Sequence, residues 1–178
     1  MTSLYQNKYR IESARLAEYD YGSNGMYFVT ICTRNKYLYF GDIEPNLATL
    51  RPSAIGQIVI DCWLSIPNHF PFIELDTFQV MPNHLHGILA IGKPETEQIH
   101  WQPNQFGPQQ KNLAAAIRGF KAGVTKQAKH YQIEFGWQAR YYDRVVRNQD
   151  ELNRIRVYIE NNPAKWVVER NNPANLYM

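Results

Sequence analysis

Alternating and periodic apolar positions along the chain predict seven secondary-structure elements. Strands are predicted where aromatic and β-branched residues concentrate, and helices where apolar residues recur every three or four positions. The predicted strands are 27–33, 72–80, 84–91 and 137–146, and the predicted helices are 53–65, 112–131 and 148–163. The polar or proline-rich segments 38–52 and 93–110 are predicted to be loops.

Polar residues at the helix boundaries support these ranges. Ser53 and Asn112 are of the type that caps a helix N-terminus. Asn148 and Glu151 stand three residues apart, as in a capping box, and mark the start of the third helix. Because the residue before a proline disfavours helical geometry, Pro163 is predicted to end that helix.

The order strand, helix, strand, strand, helix, strand, helix predicts an α+β fold. Its first six elements match a ferredoxin-like, split β-α-β arrangement, with two helices on one face of an antiparallel sheet. The last helix is an addition at the C-terminal end. We divide the chain into an N-terminal extension (1–25), one globular domain (26–166) and a C-terminal tail (167–178).

Composition is typical of a soluble globular protein. Of the 178 residues, 44% are hydrophobic and 20% charged, and no apolar run is long enough to span a membrane. The first ten residues are polar, unlike a signal peptide. Cys32 and Cys62 lie among apolar residues, which favours buried reduced thiols and a cytoplasmic location.

Positive charge is concentrated in the second half of the chain. Residues 111–169 carry 11 basic and 6 acidic side chains, whereas residues 1–110 carry 7 basic and 10 acidic ones. Basic side chains mixed with aromatic ones suit nucleic acid, because cations pair with phosphates and rings stack on bases. A solvated basic face without a partner is an equally good interpretation of charge alone.

The segment His84-Leu85-His86 lies in a predicted strand, where alternate side chains share a face. The two histidines would therefore face the same way and Leu85 the other. A pair of imidazoles held in this manner suits a divalent metal ion. The same alternation also occurs in half-buried strands that bind nothing, so the segment alone leaves both interpretations open.

Tyr158 and Asn162 stand one turn apart on the last predicted helix, at one flank of its apolar stripe. Taken by themselves, these two residues are more typical of structural roles. A tyrosine at the edge of a core often packs its ring and leaves its hydroxyl in water. An asparagine before a proline commonly marks the end of a helix.

In combination, these motifs are more specific. The segments 27–33 (YFVTICT), 80–87 (VMPNHLHG) and 158–163 (YIENNP) follow one another in the order found in HUH single-tyrosine transposases. The chain resembles in particular the REP-associated tyrosine transposase branch of that family. The similarity extends from about Arg10 to Trp166.

The resemblance implies a metal-dependent single-stranded DNA endonuclease and strand transferase in the 26–166 domain. His84 and His86 would be ligands of Mg²⁺ or Mn²⁺, and Tyr158 would be the nucleophile that forms a 5′-phosphotyrosine. Asn162 occupies the position of a polar third ligand, which is often glutamine in the wider family. The substrate would be single-stranded DNA beside a REP-like hairpin, bound by a monomer or a homodimer.

DNA contacts are expected from basic residues in three parts of the chain. The N-terminal basic motif of the family is partly matched at Arg10-Ile11-Glu12-Ser13, with an acidic residue where a second basic one would stand. The expected DNA-binding residues are Arg10, Arg15, Arg118, Lys121, Lys126, Arg140, Arg144 and Arg147.

Other functions remain open on the sequence. A non-catalytic or domesticated nucleic-acid-binding module would bind DNA or RNA without metal and without cleavage. A metal hydrolase with a water nucleophile would not need Tyr158. Replication initiators and relaxases use related chemistry, but they usually carry further domains, and in relaxases the tyrosine usually precedes the histidines.

Overall fold

The computed structural model describes residues 19–94 and 111–169, which form one antiparallel sheet with helices on both faces, and a separate small hairpin. A single turn of 3₁₀ helix covers Arg34–Lys36. The other elements, in chain order, are β1 (Gly25–Cys32), β2 (Gly41–Glu44), β3 (Thr49–Pro52), α1 (Ala54–Leu64), α2 (Ile66–His69), β4 (Ile73–Met81), β5 (His84–Ile91), α3 (Leu113–His130), β6 (Tyr142–Val146) and α4 (Gln149–Glu169).

The main sheet has the strand order β4-β5-β1-β6, with every pair antiparallel. β4 and β5 form a hairpin whose turn is Pro82-Asn83. This order, with α1 and α3 as the crossover elements, is that of the split β-α-β arrangement. The predicted ferredoxin-like α+β fold is therefore confirmed.

The two faces of the sheet bury different sets of side chains. One face packs against α1 and α3 and forms the larger core, which includes Val29, Leu85 and Trp63. The other face packs against α4 through a small cluster of Phe28, Ile88, Leu152 and Ile159. Because side chains alternate along β1 and β5, neighbouring residues on each strand enter different cores.

Side chains at the predicted boundaries cap α1 and α3. The Ser53 hydroxyl accepts a hydrogen bond from the Gly56 N–H, and the Asn112 side chain accepts one from the Ala115 N–H. Such bonds satisfy N–H groups that the first turn of a helix leaves without a partner. α1 and α3, which correspond to the first two predicted helices, therefore begin where the sequence predicted.

The chain passes very close to α1 at Gly87 on β5. A Cβ atom at this position would lie 2.3 Å from the Trp63 ring, which is fully buried. Only a residue without a side chain lets the indole approach the strand this closely, on the face opposite the two histidines. Gly87 thus fixes the distance between β5 and α1.

Two sequence predictions, one for a loop and one for a strand, were partly wrong. The predicted loop 38–52 contains the β2–β3 hairpin, which is too short to show a clear apolar period but buries Phe40 and Ile43. The predicted strand 137–146 is regular only over Tyr142–Val146. Trp137 makes an isolated bridge to Thr33 instead of extending the ladder.

The predicted end of the last helix at Pro163 was also wrong. α4 continues through the buried Pro163 to Glu169. A proline removes one backbone donor from a helix but does not by itself prevent the next turn, provided that tertiary contacts compensate. Trp166, which follows the proline, lies beside His84 with ring centroids 6.1 Å apart and supplies such a contact.

The two cysteines are free, with Cys62 buried and Cys32 half-buried. Burial raises the pKa of both thiols. Reduced, buried thiols agree with the sequence prediction. In the ranges that the structure describes, no helix is both long and apolar enough to cross a membrane.

Candidate active site

Two histidines on β5 face each other on the side of the sheet that α4 covers. His84 and His86 are 6% and 3% exposed, and their Nε2 atoms lie 3.0 Å apart. Leu85, between them, belongs to the core formed with α1 and α3. The alternation of β5 therefore brings the two imidazole rings together, as the sequence predicted.

The other nitrogen of each ring has its own hydrogen-bond partner. Nδ1 of His84 lies 2.7 Å from Oδ1 of Asn83, and Nδ1 of His86 lies 2.8 Å from Oγ1 of Thr30 on β1. Phe28 stacks against the His86 ring with centroids 5.6 Å apart. Partners on Nδ1 that leave Nε2 for a further interaction are typical of metal-binding histidines.

Both rings are neutral at physiological pH, because protein atoms replace water around them. Burial lowers the pKa of His86 to about 4. Burial lowers the pKa of His84 well below its usual value, and the charges of His86 and Lys36 lower this pKa further. A neutral imidazole is the form that coordinates metal ions.

Tyr158 on α4 points at this pair of histidines. Its hydroxyl oxygen lies 3.4 Å from Nε2 of His86, and the two ring centroids are 5.2 Å apart. The tyrosine ring also meets Phe28 edge-on at 6.2 Å. The fold thus brings together two histidines and a tyrosine that are about 70 positions apart in sequence.

An ion pair fixes α4 on the sheet beside Tyr158. Arg156 donates to both carboxylate oxygens of Asp76, at 2.9 Å from Nε and 2.6 Å from a terminal nitrogen. Asp76 lies at an irregularity in β4, where the register with β5 shifts between Leu75 and Phe78. Hydrogen bonding from Arg156 lowers the pKa of Asp76 to about 2.

The contacts of Glu151, in the first turn of α4, are those of a residue with a structural role. Its carboxylate accepts hydrogen bonds from the Arg144 side chain and from the Arg147 backbone N–H. The Arg147 N–H and the Arg144 guanidinium lower the pKa of Glu151. The Asn148 side chain accepts from the Glu151 N–H and caps the helix, as predicted, whereas the Glu151 carboxylate bonds the Arg147 N–H instead of the Asn148 N–H that a capping box would use.

Asn162 follows Tyr158 by one turn of α4 and is half-buried. Within the described ranges, it makes no hydrogen bond to His84 or His86. The predicted role of Asn162 as a third ligand therefore stays a prediction.

Two residues beyond Pro163 also lie at the site, and sequence reasoning missed them. The Lys165 ammonium lies 5.5 Å from the centre of the Tyr158 ring, and Trp166 lies next to His84. Their spacing of seven and eight residues from Tyr158 places them on the same helical face. This signal was hidden because the helix was predicted to end at Pro163.

The geometry of the histidine pair fits a single divalent ion. Two neighbouring ligands of an octahedral ion, each about 2.1 Å from it, lie about 3.0 Å from each other, which matches the Nε2 separation of 3.0 Å. Residues 19–94 and 111–168 contain no cluster of three or more His, Cys, Asp and Glu side chains arranged to hold a metal. Further ligands would therefore have to be of another type, such as the Asn162 amide, water or phosphate oxygens.

The basic residues predicted to bind DNA occupy different surfaces. Arg144 pairs with Phe28 in the register of β6 and β1, which places it on the α4 face of the sheet with the tyrosine. Its guanidinium forms an ion pair with Glu151. Arg140 precedes β6 in the chain and Arg147 follows it, and both side chains are exposed. These three residues surround the strand next to the site.

The predicted contacts on α3 lie on the other side of the sheet from Tyr158. Arg118 and Lys126 are exposed, whereas Lys121 is half-buried and donates to the Gln138 carbonyl at 2.6 Å. DNA contact by these three residues would require the strand to pass around the sheet, and it stays a prediction. Arg10 and Arg15 lie outside the described residues.

Comparison with known proteins finds a relative with a similar sequence and a solved structure with a similar fold. No protein-family model matches the chain. An uncharacterized protein of Haemophilus influenzae is 39% identical over 166 residues, which are 86% of this chain and 88% of that protein. The chain belongs to the same family as this Haemophilus protein.

The fold matches a known DNA-processing protein. A REP-associated tyrosine transposase, solved bound to a REP hairpin, superposes with a TM-score of 0.57, covering 88% of this chain and 74% of that chain at 19% identity. The chain therefore has the fold of a REP-associated tyrosine transposase, the type of protein that its motifs resemble.

Proposed function

We propose that this protein is a REP-associated tyrosine transposase or a close derivative, which cleaves and rejoins single-stranded DNA beside hairpins. The observation that carries the proposal is the position of the Tyr158 hydroxyl, 3.4 Å from Nε2 of His86 and beside the facing His84 ring. A tyrosine hydroxyl next to two histidines that can bind a metal ion suits metal-assisted phosphoryl transfer to the tyrosine. The transposase fold supports the same function.

In this proposal, His84 and His86 would hold Mg²⁺ or Mn²⁺ through Nε2, and the Asn162 amide would be a further ligand. When bound, the ion neutralises the charge that develops on the phosphate oxygens. Thr30 and Asn83 hold the two rings in place through their Nδ1 atoms.

The Tyr158 hydroxyl attacks the phosphorus atom of the scissile phosphate. The bond from phosphorus to the 3′ oxygen breaks, the proton of the Tyr158 hydroxyl passes to water, and the 3′ oxygen takes up a proton from water. The products are a free 3′-OH and a 5′-phosphate joined to Tyr158. The phosphotyrosine retains the energy of the broken bond, so a second 3′-OH can attack it and join two strands. Hydrolysis by water would lose that energy, which is why strand transfer uses a protein nucleophile.

Charged residues around the tyrosine suit a DNA backbone. Lys165 carries its ammonium over the Tyr158 ring, Arg144 on β6 forms an ion pair with Glu151 in the first turn of α4, and Arg147 lies just before that helix. These cations would attract the phosphates on both sides of the scissile bond.

The proposal is tested with labelled single-stranded hairpin DNA, taken from the sequences that flank the gene. Products are separated on a denaturing gel after incubation with Mn²⁺ or with EDTA. We expect a metal-dependent nick and a protein-linked DNA band with the wild type, and neither product with Tyr158→Phe.

Tyr142→Phe is the matched control. Tyr142 lies on the same face of the sheet, with its ring 6.3 Å from Phe28, and is more exposed than Tyr158. This variant should keep both products. A nick that survives Tyr158→Phe would indicate a hydrolase, and binding to several hairpins without a nick would indicate a non-catalytic module. Either result would contradict the proposal.

A further inference from the structure

The turn that precedes β5 is held by backbone hydrogen bonds. The Thr33 N–H and hydroxyl both donate to the Asn83 carbonyl, at 2.9 and 3.0 Å, and the Phe40 N–H donates to the Pro82 carbonyl at 2.9 Å. Asn83 is 3% exposed. Its side chain is therefore presented to His84 from a fixed backbone.

Asn83 can take only one orientation against His84. Its amide nitrogen donates to the Lys36 carbonyl at 3.3 Å, so its side-chain oxygen is the atom that faces Nδ1 of His84 at 2.7 Å. An amide oxygen only accepts hydrogen bonds. Nδ1 of His84 must then carry the proton, and Nε2 of the neutral ring keeps its lone pair.

Thr30 places no such restriction on His86. A hydroxyl can donate or accept, so the contact of 2.8 Å between Thr30 Oγ1 and His86 Nδ1 is compatible with either neutral tautomer. Nε2 of His84 presents a lone pair 3.0 Å from Nε2 of His86. When no cation is bound, the two rings can form a hydrogen bond only if Nε2 of His86 carries the proton and donates it to Nε2 of His84. The Thr30 hydroxyl then donates to Nδ1.

We propose that Asn83 and Thr30 are two different positioning residues, the first locking the tautomer of His84 and the second allowing His86 to exchange tautomers when a divalent cation enters. On entry, the Nε2–H bond of His86 breaks and its proton passes to water. A proton from water forms the Nδ1–H bond, and the Thr30 hydroxyl rotates to accept it. The ring is neutral before and after. This inference rests on the proposed function, because the cation is the metal of that mechanism.

The tautomers are measured by nitrogen-15 NMR of the histidine side chains, assigned with His84→Gln and His86→Gln. We expect His84 to carry its proton on Nδ1 both in EDTA and with Mg²⁺. We expect His86 to carry its proton on Nε2 in EDTA and on Nδ1 with Mg²⁺. His84 protonated on Nε2 in EDTA, or an unchanged His86 in a protein that binds Mg²⁺, would overturn the inference.

Substitutions separate positioning from simple structural support. Thr30→Val should lower the affinity for Mn²⁺, measured by calorimetry, by about 10-fold or more, and Thr30→Ser should restore it. Asn83→Ala should give a mixture of His84 tautomers, whereas Asn83→Asp retains the acceptor and should keep the single one.

Thr125→Val is the control, since it removes a threonine hydroxyl that donates to the Lys121 carbonyl within α3, on the other side of the sheet from the histidines. It should leave both tautomers and the Mn²⁺ affinity close to the wild type. Equal losses in Thr30→Val and Thr125→Val would overturn the role of Thr30. A folded wild type without Mg²⁺ or Mn²⁺ affinity would contradict the proposed function, while the tautomers in EDTA would still decide the role of Asn83.

Discussion

The ion pair between Arg156 and Asp76 should account for a measurable part of the stability of α4 on the sheet. Arg156 engages both oxygens of Asp76, and the pKa of Asp76 falls from 3.8 to about 2. A difference of nearly two pKa units corresponds to at most about 2.5 kcal/mol. Because the two side chains are 34% and 19% exposed, solvent screening reduces this value to about 1–2 kcal/mol.

The contribution should depend on pH in one direction. The folded-state pKa of Asp76 is lowered, so the stabilisation is fully present above the unfolded pKa near 3.8. It is lost as pH falls from about 4 towards 2, because the proton then binds in both states. The difference between wild type and Asp76→Asn should therefore shrink over that interval.

The assay is chemical denaturation of Asp76→Asn, Arg156→Gln and the double variant at pH 7 and pH 3. At pH 7 Asp76→Asn should lose about 1–2 kcal/mol, Arg156→Gln should also be destabilised, and the double variant should lose little more than Asp76→Asn alone. Arg154→Gln is the control, because Arg154 is exposed two residues earlier on the same helix. Fully additive losses, or a loss that is as large at pH 3 as at pH 7, would contradict this prediction.

Two further predictions concern β5 and the end of α4. Gly87→Ala should destabilise the protein by about 1–3 kcal/mol in a thermal melt, because its Cβ would overlap Trp63. Gly92→Ala is the control and should be close to neutral, since no atom lies within 4 Å of its Cβ position. Equal melting temperatures for the two variants would contradict this prediction. Lys165→Gln should slow nicking about 10-fold in the gel assay, because it removes a cation beside the phosphate. Lys129→Gln on α3 is the control and should nick at the wild-type rate. Equal rates for both variants would show that Lys165 has no such role.

Local sequence signals predicted the elements whose geometry they determine. The alternation of β5 placed His84 and His86 on one face, and Ser53 and Asn112 marked helix starts through hydrogen bonds of a few residues' range. Tyr158 was identified by its motif rather than by helix periodicity, which alone favoured a structural residue. Its position beside His86 confirms the proximity that the motif implied.

Features that depend on contacts between distant segments could not be predicted. α4 passes Pro163 because Trp166 packs beside His84, and a rule about the residue before proline contains no such information. Thr30 lies 56 positions from the histidine that it contacts. The β2–β3 hairpin buries Ile43, and Phe40 just before it is fully buried, but the short strands carry no clear apolar period of their own.

The most direct test of Tyr158 as nucleophile is to map the covalent adduct. The wild-type protein is incubated with Mn²⁺ and a hairpin oligonucleotide whose cleaved 5′ fragment, which ends in the free 3′-OH, dissociates, and is then digested with trypsin and analysed by mass spectrometry. Cleavage after Arg156 and Lys165 releases the peptide 157–165 (VYIENNPAK), in which Tyr158 is the single tyrosine. We expect the nucleotide mass on this peptide. An adduct on another peptide, or cleaved DNA with no adduct, would contradict the proposed mechanism.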